Sequence, residues 1–278
     1  MSLTRREFLQ TLAAAAAAGL PLESYAQGAA LSDARFYDIP RFGDLRILHF
    51  TDCHAQLLPS YFREPNINIG IGEGINRPPY VVGEHLLRAF NLRPGTRTAH
   101  AFTSLDFERA ARRYGKIGGF AHFATLVKKL RAEGPPSLLL DGGDTWQGSA
   151  TSLWTRGQDM IEACKRLGVE VMTAHWEFTY GAARVTEAVE KELAGNIEFI
   201  AQNVKTADFN DPVFKPYVIR ELGGVPVAII GQAFPYTPIA NPRHLIPDWS
   251  FGIDEDRLQQ LVYEVRASKG GKGGAQQG

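Results

Sequence analysis

Two cysteines, Cys53 and Cys164, are all that 278 residues contain, so no disulfide framework holds this fold together. Neither sign of charge is in surplus. Thirty Lys and Arg balance thirty Asp and Glu, which removes the cationic excess that phosphate neutralisation requires and argues against a nucleic-acid partner. Long apolar runs are missing too: the one at 12–20 is well short of the roughly 20 residues that cross a bilayer. What remains, 44% hydrophobic and 22% charged residues, describes an ordinary globular protein of one large or two small domains.

The start of the chain reads as a targeting segment. Thr4-Arg5-Arg6-Glu7-Phe8-Leu9 sets two arginines before the apolar run, and Ser24-Tyr25-Ala26 supplies the small residues of a cleavage site. This pattern predicts a twin-arginine signal peptide over 1–26, cleaved after Ala26, and export to the periplasm by a route that carries folded, often cofactor-loaded proteins. Residues 27–44 then form an N-terminal arm.

Apolar content predicts a buried strand over 46–51, a second over 137–140, a third over 169–173 and a fourth over 197–201, with helices over 118–131, 159–167 and 182–194 between them. Gly223-Gly224 separates two further strands as a hairpin turn. Alternation of this kind argues for a layered α/β fold with ligands gathered at the carboxyl ends of strands. The stretch 59–118 is too long for a simple connection. It reads as a substrate or partner insertion or, equally, as a variable surface insertion, with one short helix over 84–91. A last helix over 254–267 runs into a glycine-rich tail, 268–278, that has too little apolar surface to order.

Chemistry concentrates at three strand ends. Asp52 and His54 stand two apart after the first strand, so strand alternation puts both side chains on one face, where they can chelate an ion. After the second strand, Gly142-Gly143 allows a tight turn that brings in Asp144, a carboxylate able to bridge two ions. The third strand leads into Ala174-His175-Trp176-Glu177-Phe178-Thr179-Tyr180. Mixed carboxylate and imidazole ligands suit manganese, iron or zinc better than magnesium or calcium. Two such ions would activate a water and hold an oxyanion during in-line displacement. Glu177 reads as an orienting group for His175 or as an ordinary surface residue, and Trp146 and Trp176 as walls of a substrate channel or as packing residues. Cys53 alternates with the ligands and reads as a core side chain, as does Cys164. His49 reads as a core or supporting group, His122 as a packing residue, and His85, His100 and His244 as solvated.

The order Asp-x-His, Gly-Gly-Asp and a His-bearing third loop resembles the calcineurin-like metallophosphoesterases, in particular the 5′-nucleotidase branch. That branch carries Gly-Asn-His-Glu-Phe-Asp in the third loop. Here His175 stands where a metal-binding asparagine is expected, Trp176 replaces the catalytic histidine and Thr179 replaces its aspartate partner. Those departures, with the Asp-Cys-His-Ala-Gln-Leu-Leu-Pro string, the insertion and the leader, resemble the SoxB-type thiosulfohydrolases of the bacterial Sox sulfur-oxidation system over nearly all of 1–267. The resemblance implies an α/β/β/α metallophosphoesterase-like sandwich and a pair of divalent ions, manganese first. Asp52, His54, Asp144 and His175 are the implied ligands. The implied reaction hydrolyses a cysteine-S-thiosulfonate on the SoxYZ carrier protein and releases sulfate.

The same resemblance implies parts that this sequence lacks: a Ser-His-Asn loop, a Gly-His-Thr-His loop and a C-terminal substrate domain. The sandwich is therefore expected to be incomplete, and the chain reads as a truncated form that holds metal weakly, aggregates readily and turns over little substrate. The alternatives are a 5′-nucleotidase-like phosphoesterase and a non-catalytic fragment that still binds the carrier.

Overall fold

The computed structural model describes residues 43–61 and 70–270. The expected signal peptide, most of the arm and the end of the tail lie outside the described residues. The described residues from Asp44 onward form one compact unit.

Its centre is a parallel sheet in the order β1-β2-β3-β4, with β1 Arg46–Phe50, β2 Ser137–Asp141, β3 Val171–Met172 and β4 Glu198–Phe199. Register aligns the strand ends: Phe50 pairs with Asp141, Asp141 with Met172 and Met172 with Phe199. Whatever follows these four residues leaves the sheet along one edge.

Two helices cover one face. Between β1 and β2 runs α4 Phe120–Ala132, and between β2 and β3 runs α6 Gln158–Leu167. In α6 the buried residues are Met160, Ile161, Cys164 and Leu167, a spacing that places them on one stripe. Phe50 from the sheet meets Phe120 and Phe123 of α4 edge to face, with centroids 6.2 and 4.8 Å apart.

The other face carries an antiparallel hairpin, β6 Tyr217–Leu222 and β7 Val225–Ile230, turning at Gly223-Gly224. Strand alternation divides it. Val218 and its cross-strand partner Ile229 pack on Leu140, Val171 and Ile200 of the sheet. Ile219, Pro226, Ala228 and Ile230 face outward and line a cavity of about 430 Å³ with Val262 and Val265 of α9 Glu255–Gly270. The layers thus run helix, sheet, hairpin, helix, the expected α/β/β/α order, with the second sheet only two strands wide. A further short pair, β5 Lys205–Thr206 with β8 Trp249–Ser250, lies apart from both.

Several elements differ from expectation. The insertion is more helical than its composition suggests, with α1 Gly83–Ala89, α2 Arg97–Phe102 and α3 Phe107–Tyr114. These helices are only two turns or less, too short for a periodic signal. Thr96 caps α2 by accepting from the Ala99 nitrogen at 3.2 Å. A short α5 Ala150–Thr155, capped by Ser149, follows the Gly-Gly-Asp loop. The helix begun as α7 Ala182–Glu187 continues as a π turn over Ala188–Glu192. Thr237–Ala240 forms α8. At the far end α9 continues through Gly270, three residues into the segment read as disordered.

Candidate metal centre

Beyond Phe50 the chain leaves the extended conformation. Asp52, His54 and Ala55 all take positive φ, 57°, 47° and 51°, so the two ligand-type side chains converge through a left-handed turn and not through strand alternation. Backbone bonds to the neighbouring loop impose this turn: Asp52 N donates to Gly143 O at 2.9 Å, His54 N to Asp144 O at 3.0 Å and Ala55 N to Thr145 O at 3.1 Å.

The loop after β2 is organised by Asp141, whose buried carboxylate accepts from Gly143 N and Thr145 Oγ1, each at 2.9 Å. Asp144 itself takes φ 55°. Gly143 has φ 94°, and a Cβ there would lie 2.8 Å from the backbone of Ala174 and His175; the glycine lets the second and third loops touch. Gly148 does the same for the first, since its Cβ would fall 2.2 Å from His54 O.

Glu177 locks the third loop to the second. Fully buried, it accepts from His175 N at 2.7 Å and Asp144 N at 3.1 Å through Oε2, and from Thr145 N at 2.6 Å and Trp146 N at 3.1 Å through Oε1. A carboxylate satisfied by four amides in this way is a structural tie between strand ends.

The side chains these loops present come together. His54 Nε2 is 3.7 Å from Asp144 Oδ2 and 3.9 Å from Asp52 Oδ1, and His175 Nδ1 is 3.0 Å from Asp144 Oδ2. Asp52, His54 and Asp144 each offer a donor atom within 4.8 Å of the others. Donors bound at about 2.0–2.2 Å to one ion sit roughly 3 Å or a little more from each other, so this donor set fits a divalent cation after small side-chain shifts. Asp52 and His54 are more than half exposed, while Asp144 is 4% exposed and His175 20%. The ion would therefore sit at the floor of an open edge.

Charge points the same way. Burial, with the Glu177 carboxylate adding, raises Asp144 above its ordinary range against the pull of His54 and His175. Burial and Glu177 push Asp141 up to about 7. Three acidic side chains held under one loop make a setting that a cation relieves.

Other expectations divide. Trp176 is half-buried beside His175, ring centroids 5.9 Å apart. Trp146 is a correction: it is fully buried in the main core and cannot wall a channel, because the loop turns its ring inward under α5 and α6. His49 is exposed on the edge strand, not in the core, and His100 is not solvated but stacks on Tyr114 at 5.5 Å. His122 is exposed, its ring bonded to Gly118 O at 2.8 Å, instead of packing. His85 and His244 are exposed as expected. Cys53 packs against the core, with burial and then Asp141 and Asp52 pushing its thiol up to about 12, and Cys164 is buried; neither is a reactive thiolate.

Two residues near the centre had not been singled out. Asp141 ends an apolar run, a signal that was legible. Phe234, whose ring lies 4.0 Å from His175, follows a hairpin 59 positions later and gave none.

No family model matches the chain. Among curated proteins it is 30% identical to the 5′-nucleotidase of Bos taurus over 169 residues, 59% of this chain and 28% of that protein. It is 31% identical to the 5′-nucleotidase of Rattus norvegicus over 157 residues, 54% and 26%. Among solved structures it superposes on the sulfate thiohydrolase SoxB of Thermus thermophilus with TM-score 0.65 and 37% identity, over 84% of this chain and 43% of that one. The calcineurin-like phosphoesterase YfkN of Bacillus subtilis shares the fold, with TM-score 0.51 and 19% identity over 81% and 58%. The chain spans under a third of the curated relatives' length and under half of SoxB. Its fold is the mixed α/β, parallel-sheet fold of the calcineurin-like phosphoesterases, present in part.

Proposed function

We propose that this chain carries the metal centre of an exported thiosulfohydrolase, which hydrolyses a cysteine-S-thiosulfonate on the SoxYZ carrier protein and releases sulfate in the periplasm during thiosulfate oxidation. Among the described residues no helix is long and apolar enough to cross a membrane, and the twin-arginine leader is part of the proposal. The observation that carries it is the third loop. His175 Nδ1 lies 3.0 Å from Asp144 Oδ2, while Trp176 and Thr179 stand where the resemblance to the 5′-nucleotidases implies a catalytic histidine and its aspartate partner. The 37% identity with SoxB over 84% of the chain supports the same reading.

Asp52, His54, Asp144 and His175 would hold the metal, with manganese the first expectation and zinc or iron compatible with the donors. Two divalent ions, when bound, would lower the pKa of a water and offset charge on the sulfonate oxygens. The chain's own part is positional. Glu177 fixes the amides of both ligand loops, and the open edge at Asp52 and His54 leaves room for a sulfonate on a carrier arm. In the reaction the oxygen of a water bonds to the terminal sulfonate sulfur, the bond from that sulfur to the outer sulfur on the carrier breaks, and the water's protons pass to solvent as sulfate leaves. The electron pair departs on the sulfur left on the carrier. Such a leaving group is a weaker base than an alkoxide and needs less acid assistance, which accords with Trp176 and Thr179.

A 5′-nucleotidase activity is the second reading, favoured by the curated relatives. Sulfate release from thiosulfonate-loaded carrier and phosphate release from AMP, each with and without Asp144→Ala, separate the two. Sulfate release that depends on Asp144 is expected. AMP hydrolysis without thiosulfonate turnover would overturn the proposal.

A further inference from the structure

Metal-binding histidines are usually aimed by a hydrogen bond at the ring nitrogen away from the ion. His175 has another arrangement. Among the described residues its one hydrogen-bonded ring atom is Nδ1, which faces Asp144 Oδ2 at 3.0 Å. Its ring instead meets Phe234 in a close tilted contact, centroids 4.0 Å apart and planes inclined by 58°.

Phe234 is not a loosely placed neighbour. Its backbone N–H donates to Ala174 O at 3.2 Å, one residue before His175. Its carbonyl accepts from Thr237 Oγ1 at 2.8 Å. The preceding Ala233 is gripped on both sides by the buried Asn203 side chain, whose Oδ1 accepts from Ala233 N at 2.8 Å and whose Nδ2 donates to Ala233 O at 2.9 Å. Asn203 Nδ2 also donates to Gly252 O at 3.0 Å. Tyr236 meets the Phe234 ring edge-on at 5.8 Å. The segment after β7 is thus tied to the strand end that bears His175, and the phenyl ring is presented on a fixed support.

The torsion that turns an imidazole about its Cβ–Cγ bond is broad and roughly two-fold. One hydrogen bond does not by itself fix that torsion; a phenyl ring held against the imidazole at 4.0 Å blocks its swing. We propose that Phe234 is the positioning residue of the third loop, holding the imidazole plane of His175 so that Nδ1 stays on the Asp144 side, and so strengthening the hold of the centre on a divalent ion. This rests on the metal-centre reading above.

The test uses the full chain and Mn²⁺ as probe, titrated calorimetrically against wild type, Phe234→Ala, Phe234→Leu and Phe234→Tyr, with Val218→Ala as a remote core control. Affinity should fall about ten-fold in the Ala and Leu variants, return to within about two-fold of wild type in the Tyr variant, and change little in the control. Urea unfolding in EDTA should leave Phe234→Leu near wild type, which separates positioning from loss of packing. In ¹⁵N-histidine spectra of the metal-free protein, His175 should show one tautomer in wild type and Phe234→Tyr, and a mixture in the Ala and Leu variants. If wild type takes up no Mn²⁺, the metal reading fails, and the spectra alone still judge Phe234. An unchanged His175 signal in both Ala and Leu variants, or an equal affinity loss in Val218→Ala, overturns the proposal.

Discussion

The Glu177 carboxylate accepts from the Asp144 backbone nitrogen at 3.1 Å although 33 residues separate them, and the same side chain holds His175, Thr145 and Trp146. Glu177→Gln keeps size and one acceptor oxygen but turns the other into a donor facing amide N–H groups. Two buried donors lose their partner, at about 1–3 kcal/mol each, so urea unfolding should show a loss of about 3 kcal/mol, with metal affinity falling as the loops part. Stability equal to wild type would mean that this carboxylate ties nothing together.

Asp141 gives a pH signature. Burial and the Glu177 charge raise it from 3.8 to about 7, so between those values the folded state holds a proton that the unfolded state releases. Its contribution to stability is present below about 3.8 and is lost as pH rises through about 7. Asp141→Asn keeps an acceptor for Gly143 N and Thr145 Oγ1 and cannot ionise. The stability gap between variant and wild type, measured by denaturant unfolding in EDTA, should therefore shift in the variant's favour from pH 4 to pH 8. Parallel profiles across that range would show that Asp141 does not titrate there.

Much of this was legible because it is carried by residue type and local pattern. Apolar strands ending in Asp52-x-His54 and Gly143-Asp144 announced themselves, and the four parallel strands and the Gly223-Gly224 hairpin fall where periodicity puts them. The reason that Asp52 and His54 converge was not legible. It lies in left-handed backbone imposed by bonds to residues 143–145, a tertiary constraint that strand alternation happens to mimic. Trp146 misled for a related reason: a strand-end position says where the backbone goes, while burial under α5 and α6 decides where an indole points. Phe234 reaches His175 only because the hairpin returns the chain to the segment just after β4, through Gln202 N to Gly231 O at 2.8 Å.

Gly143→Ala tests the closeness of the loops. At φ 94° an added methyl is strained, and its Cβ would meet the backbone of Ala174 and His175 at 2.8 Å, where nothing flexible can yield. The loops must separate, taking Asp144 away from His175. A destabilisation above about 1 kcal/mol should accompany near-complete loss of Mn²⁺ uptake by calorimetry. Retained uptake would mean that the contact is not needed to shape the centre.

Asp144→Asn should have opposite effects with and without metal. Burial, with the Glu177 charge adding, raises the Asp144 carboxyl above its ordinary range, so its charged form is less favoured in the folded chain than in the unfolded one, a cost that an amide avoids. The variant should unfold at higher urea than wild type in EDTA. With Mn²⁺ at about 100 times the dissociation constant, wild type should gain about 2.7 kcal/mol by linkage, while the variant, lacking the carboxylate that His54 and His175 both face, gains almost nothing. The order of the two proteins then reverses on adding metal. A variant that is less stable under both conditions would make Asp144 a structural hydrogen-bonding residue and remove the centrepiece of the proposed site.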